Sequence, residues 1–241
     1  MKLDETFLIS DRPIPSADPN RIQFTGIQRR SYVAGPGSRC VLWVAGCHRR
    51  CPGCFQSHFF DFKAGKSIGI EQLAHEIISI QDIDGLTISG GEPFEQSASL
   101  AELCKLIRQR KDLSILAYTG YKLEDLRTRS SADQMFLQQL DLLIDGEYRQ
   151  ELRGPYLWRG SANQRLLDLK SNDPINASFE QPYGDEESLQ LVLEDGLLIV
   201  GGFPSPDLDK RLKRALGQRG IILGRARSSN DDDYRTDPSN A

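Results

Sequence analysis

Apolar positions in this chain follow two rhythms that alternate along it. Four short runs are apolar at nearly every position: "CVLWVAG" (40–46), "GLTISGG" (85–91), "LSILAYTG" (113–120) and "LDLLIDG" (140–146). Each ends in glycine. Such runs suit strands buried on both faces. Between them the apolar residues switch to helical spacing, at Ile70, Leu73, Ala74, Ile77 and Ile78 and again at Leu100, Leu103, Cys104 and Ile107. Alternating strand and helix predicts an α/β fold built on a parallel sheet or an incomplete (βα) barrel, with ligands at the carboxyl ends of the strands.

The flanking segments have other patterns. "RIQFTGIQRRSYVAGPGSR" (21–39) is rich in β-formers, and its Gly35-Pro36-Gly37 predicts a turn. "ANQRLLDL" (162–169) reads as a short helix with Ser161 as its cap. Residues 170–188 are polar and hold two prolines, which predicts a linker or long surface loop. Beyond it, "LQLVLEDGLLIVGG" predicts a β-hairpin turning at Asp195-Gly196, followed by a helix over Asp207 to Gln218 with Leu208, Leu212, Ala215 and Leu216 on one stripe. The expected organisation is an N-terminal segment (1–34), a core domain (35–169), the linker (170–188), a hairpin-and-helix extension (189–224) and a disordered polar tail (225–241).

Composition narrows the function. With 241 residues and 39% hydrophobic side chains the chain can bury a substantial core. A net charge of -4 lacks the basic footprint of a nucleic-acid-binding protein. No apolar run approaches the about 20 residues that span a bilayer, and "MKLDETFLISDRPIP" lacks a secretory pattern, so a cytoplasmic protein is expected. Five cysteines, three of them crowded together, favour metal or redox chemistry over a disulfide framework in that compartment.

Those three are Cys47, Cys51 and Cys54, in a loop directly after the first apolar run. Pro52 and Gly53 forbid a regular helix there, so the loop can turn its sulfurs toward one point. Chance clustering, a zinc site completed by His58, and an iron-sulfur cluster with one iron left open all fit this pattern. Cys40, on a strand, and Cys104, on a helical stripe, read as small core residues. Arg39, Arg49 and Arg50 are candidates to offset thiolate charge, or else solvated surface. Thr119 and Asp145 end their strands at the face where a ligand is expected.

The Cys-x-x-x-Cys-x-x-Cys loop after a first strand resembles the radical S-adenosylmethionine superfamily, and "SGGEP" (89–93) resembles that family's Gly-Gly-Glu-Pro segment. "GPGSR" (35–39), "CPGC" (51–54), "LLIDGEY" (142–148) and "LWRGSANQRLLDL" (157–169) are similar to segments of glycyl-radical-enzyme activating enzymes, among them the anaerobic ribonucleoside-triphosphate reductase activating proteins. The resemblance implies a [4Fe-4S] cluster on Cys47, Cys51 and Cys54, with S-adenosyl-L-methionine completing the fourth iron. It implies cofactor contacts from Gly90, Gly91, Glu92 and Pro93, with Thr119 and Asp145 near the ribose or sulfonium. It further implies a 5′-deoxyadenosyl radical, a glycyl-radical enzyme as partner and flavodoxin or ferredoxin as electron donor. Arg159, Asn163 and Gln164 would face the partner. The alternatives are a radical enzyme acting on a small molecule or peptide, and a non-catalytic Cys3His zinc module. Two positions depart from the family pattern: Gly53 stands where an aromatic usually precedes the third cysteine, and Glu147 where a Lys or His is common.

Overall fold

The four glycine-terminated runs form the parallel centre of a seven-stranded sheet in the computed structural model, which describes residues 18–171, 189–194 and 197–221. In chain order the sheet's strands are β1 (Arg21–Ser31), β2 (Arg39–Val44), β3 (Lys66–Gly69), β4 (Gly85–Gly90), β5 (Ser114–Tyr118) and β6 (Leu142–Asp145). The short β7 (Arg153–Tyr156) and β8 (Arg159–Ser161) pair with each other, and β9 (Arg165–Asp168) returns to the main sheet. Its order is β3-β1-β2-β4-β5-β6-β9. β2, β4, β5 and β6 run parallel, while β1 and β3 on one flank and β9 on the other are antiparallel to their neighbours. The fold is therefore α/β with a mixed sheet whose centre alone is parallel.

The crossovers carry α1 (Ile70–Ser79), α2 (Ser97–Arg108), and the pair α3 (Leu123–Arg129) and α4 (Ser131–Leu137). Each parallel step moves the same way across the sheet, and right-handed crossovers then lay all four helices on one face. Burial agrees with this. Cys40, Leu42, Val44, Leu86, Ile88, Ile115, Ala117 and Leu143 share one core with Leu73 and Ile77 of α1, Leu103, Cys104 and Ile107 of α2, and Phe136 of α4. The alternate strand positions point the other way, where Leu116, Ile144 and Leu166 form a second cluster with Tyr118, Leu142 and Trp158. Val41, Trp43, Thr87 and Ser89 also lie on this second face and border a cavity.

Two expectations are corrected. Residues 165–168 form a strand, because Leu166 belongs to the second cluster and Leu167 to the first, a two-residue period that a helix cannot satisfy. Ser161 caps no helix; its hydroxyl accepts a hydrogen bond from the Arg149 N–H at 3.2 Å. The hairpin is present as β10 (Gln190–Glu194) and β11 (Leu197–Gly201), with Glu194 opposite Leu197, and its turn at 195–196 lies outside the described residues. The last helix, α5, covers Pro206–Gly217, capped by Ser205, whose hydroxyl accepts from Leu208 N at 3.2 Å. Most of the expected linker and the whole of the expected tail (225–241) lie outside the described residues. Among those described, no helix is long and apolar enough to cross a membrane.

Candidate metal and cofactor site

The cysteine loop leaves β2 under tight backbone control. Ala45 N donates to Gln23 O on β1, Gly46 N to Phe59 O at 2.8 Å and Cys47 N to Phe60 O at 3.1 Å. Gly46 has φ +93°, and a Cβ there would fall 2.3 Å from the Phe62 ring. Cys51-Pro52-Gly53-Cys54 closes a turn, with Cys54 N donating to Cys51 O at 3.2 Å and Gly53 at φ +69°. Proline followed by a left-handed glycine is what a type II turn requires. Cys47 is buried and Cys51 and Cys54 are half-buried. Desolvation pushes the Cys47 thiol up to about 11 and also raises Cys54.

The second motif is stitched to the first. Gly91 N donates to Val44 O and Glu92 N to Gly46 O, both at 2.7 Å. A Cβ on Gly90 would lie 2.4 Å from Val44 O, and one on Gly91 would lie 2.2 Å from Gly46 O. Both glycines thus have a structural reason to be there: the ends of β2 and β4 approach too closely for any side chain.

That stitching delivers Glu92 to the floor of the cavity, where it is 2% exposed. Its Oε1 accepts from Thr119 Oγ1 at 2.8 Å and Phe94 N at 3.1 Å, and its Oε2 accepts from Gly120 N at 2.8 Å. A carboxylate has roughly four acceptor positions, so Oε2 keeps one for a ligand donor. Burial raises the Glu92 carboxyl to about 7, against the pull of those three hydrogen bonds.

The cavity has a volume of about 150 Å3 and is bordered by Cys47, Cys51, Cys54, Gly90, Gly91, Glu92 and Thr119. Strands β2, β4 and β5 thus deliver these residues to a single hollow at their carboxyl ends. Pro93 and Asp145 do not border it. Pro93 begins a short 3-10 turn, and Asp145 accepts from Leu123 N at 2.8 Å and pairs with Arg165. Among the described residues no three His, Cys, Asp or Glu side chains converge closely enough to hold a single metal ion. His58 lies tilted against the Phe59 ring and does not border the cavity. Three thiols around one hollow suit a metal centre held by thiolates.

The arginines separate by role. Arg49 borders the cavity, pairs with Glu147 at 3.2 Å and lies over the Tyr121 ring, and its buried Nε has no hydrogen-bond partner. Arg50 lies over Phe60. Arg39 is fully buried and spends its guanidinium on the sheet: it donates to Pro36 O, Leu86 O, Ser114 O and Thr87 Oγ1, tying the first turn to the starts of β4 and β5. In the "WRGSANQ" segment the polar side chains are turned onto nearby backbone. Gln164 Oε1 accepts from Gly160 N, Gln164 Nε2 donates to Gly146 O, Asn163 Nδ2 donates to Glu147 O and Arg159 Nη1 donates to Gln164 O.

Sequence reasoning missed the aromatic wall of the cavity. Phe55 meets Tyr148 at 5.2 Å and Phe203 at 5.7 Å between ring centroids, and Phe203 meets Tyr118 at 6.1 Å. The alternation of β5 could have marked Tyr118 as sharing a face with Leu116; nothing local could have marked Phe203.

Residues 33–167 match the family described as "4Fe-4S single cluster domain". Similar proteins include the anaerobic ribonucleoside-triphosphate reductase-activating proteins of Enterobacteria phage T4 (36% identical over 143 residues, 56% of this chain and 86% of that protein) and of Vibrio cholerae (36% over 141 residues, 55% and 88%). That of Escherichia coli K12 is 32% identical over 147 residues, covering 57% of this chain and 93% of its own length.

Proposed function

The chain belongs to the 4Fe-4S single cluster domain family and to the anaerobic ribonucleoside-triphosphate reductase-activating proteins, and on that premise we propose that it activates such a reductase by radical S-adenosylmethionine chemistry. The observation that carries this reading is the meeting of Cys47, Cys51, Cys54 and Glu92 around one cavity at the carboxyl ends of parallel strands. In this reading the open sheet is the incomplete barrel of that superfamily. Its central strands supply the floor, and the face opposite α1 to α4 supplies the space.

Cys47, Cys51 and Cys54 would hold the [4Fe-4S] cluster as thiolates, so loading releases protons that burial otherwise holds on Cys47 and Cys54. When bound there, the cluster and S-adenosyl-L-methionine would supply one-electron radical chemistry able to take an α-hydrogen from a glycine of the reductase. Glu92 accepts from the methionyl amine through the free position on Oε2, while Thr119 and Gly120 keep its carboxylate from turning away. Arg49, with an unused Nε at the cavity edge, offers positive charge to the cofactor carboxylate. A flavodoxin or ferredoxin provides the electron.

The test is electron paramagnetic resonance on the reduced, cluster-loaded protein incubated with S-adenosyl-L-methionine and the glycyl-radical enzymes of its own cell. A persistent glycyl doublet on the anaerobic reductase is expected. Deoxyadenosine formed only with a small-molecule substrate, with no doublet on any protein, would overturn the reading.

A further inference from the structure

Part of the cavity wall comes from outside the region that matches the family. The match ends at residue 167, yet Val200, Gly202 and Phe203 border the same hollow as the three cysteines. Phe203 lies between β11 and α5, where it meets Phe55 of the cysteine loop edge-on, at 77° between ring planes, and Tyr118 of β5 at a tilt. Three separate parts of the chain thereby give one aromatic wall. An edge-to-face contact occupies one face of one ring in each pair, so ring surface remains for a flat ligand.

The wall is also fixed. Arg153 Nη2 donates to Pro204 O at 2.8 Å, pairs with Asp209 at 3.6 Å, and its guanidinium lies 4.6 Å from the Phe55 ring centroid. The Tyr118 hydroxyl donates to Trp158 O at 2.7 Å, so its polar end is held away and its ring is left as an apolar surface.

We propose that the C-terminal extension completes the nucleoside subsite, with Phe203, backed by Phe55 and Tyr118, stacking on the purine of an adenosine-containing ligand whose amino-acid end reaches Glu92. This rests on the radical S-adenosylmethionine reading above and adds a specificity residue to it. Aromatic-base stacking is sensitive to removal of the ring and tolerant of exchange between aromatic types.

The experiment uses the full, cluster-loaded chain and S-adenosyl-L-methionine as the probe, with affinity from anaerobic equilibrium dialysis and iron content measured on the same samples. Phe203→Ala and Phe203→Leu should each weaken binding about tenfold at unchanged iron content, whereas Phe203→Trp should retain it. The new tryptophan should also be quenched on binding beyond any change from Trp43 and Trp158 in the parent. Affinity in Phe203→Leu equal to the parent would reduce Phe203 to apolar filling and overturn the proposal. So would parental affinity in Phe203→Ala, or an unquenched tryptophan. If Phe203→Ala loses iron, the comparison of Leu with Trp decides. A parent protein with full iron and no affinity for the probe would instead sink the radical S-adenosylmethionine reading, and this inference with it.

Discussion

Burial sets the charge of Glu92 before any ligand arrives. A carboxyl whose folded value is about 7 instead of the ordinary 4.5 favours the folded state fully below pH 4.5 and loses that contribution as pH rises through 7. His58, lowered by burial, acts in the opposite sense in part of this window, but it does so equally in a Glu92 variant. Thermal unfolding of the cluster-free protein should therefore show Glu92→Gln gaining on the parent by roughly 5 °C between pH 5 and pH 8; a constant difference would contradict the raised value. The cysteines separate by a different measurement. Alanine at Cys47, Cys51 or Cys54 should abolish the iron that anaerobic reconstitution gives the parent. Alanine at Cys40 or Cys104, both fully buried in the main core, should leave iron unchanged and cost about 1–2 kcal/mol of stability in denaturant unfolding. At this scale the sequence was informative about the thiols, because spacing is local, and silent about why Gly90 and Gly91 are needed. Their constraint is the backbone of Val44 and Gly46, at and just beyond the end of β2, more than forty residues earlier.

Elements divide into those with a periodic signature and those without. β2, β4, β5, β6, α1 and α2 all follow from apolar spacing because each buries a face that repeats. β9 does not, since four residues are too few to separate a two-residue period from a helical one; "RLLD" became a strand only because β6 had a free edge for it. The hairpin β10–β11 and helix α5 were legible as elements but not as neighbours of the cavity. Arg153 fastens α5 and the segment before it, through Pro204 and Asp209, while Gln190 ties β10 to the end of β1 through Tyr32 N and Arg30 O. Arg153→Ala should speed amide hydrogen exchange across 203–217 by about fivefold, as expected for the loss of roughly 1 kcal/mol, while β4 and β5 keep their protection. Equal rates in both proteins would mean the extension is held by other contacts.

The molecule as a whole has one face for stability and one for chemistry. Helices α1 to α4 cover the first, and the second is left to the cysteine loop, the aromatic wall and the extension. Among the described residues, neither β10–β11 nor α5 adds a strand to the main sheet or a residue to its two apolar clusters. A chain ending at Ser171 should consequently fold and take up iron as the parent does, with weaker binding of S-adenosyl-L-methionine. Failure of that shortened chain to fold, seen by circular dichroism, would show that the extension belongs to the core.

The alternation β2, α1, β4, α2, β5, β6 and the cysteine loop after β2 followed from the sequence alone, because each depends on the spacing of neighbouring residues, whereas β3, α3 and α4 did not. Tertiary structure alone decided that β1, β3 and β9 pair antiparallel with their neighbours, that Arg39 holds backbone carbonyls and not thiolate charge, that Asp145 is spent on Arg165, and that Phe203 reaches Phe55. Each of those depends on which distant segment fills a free edge or an unpaired group, and local spacing carries no information about that choice.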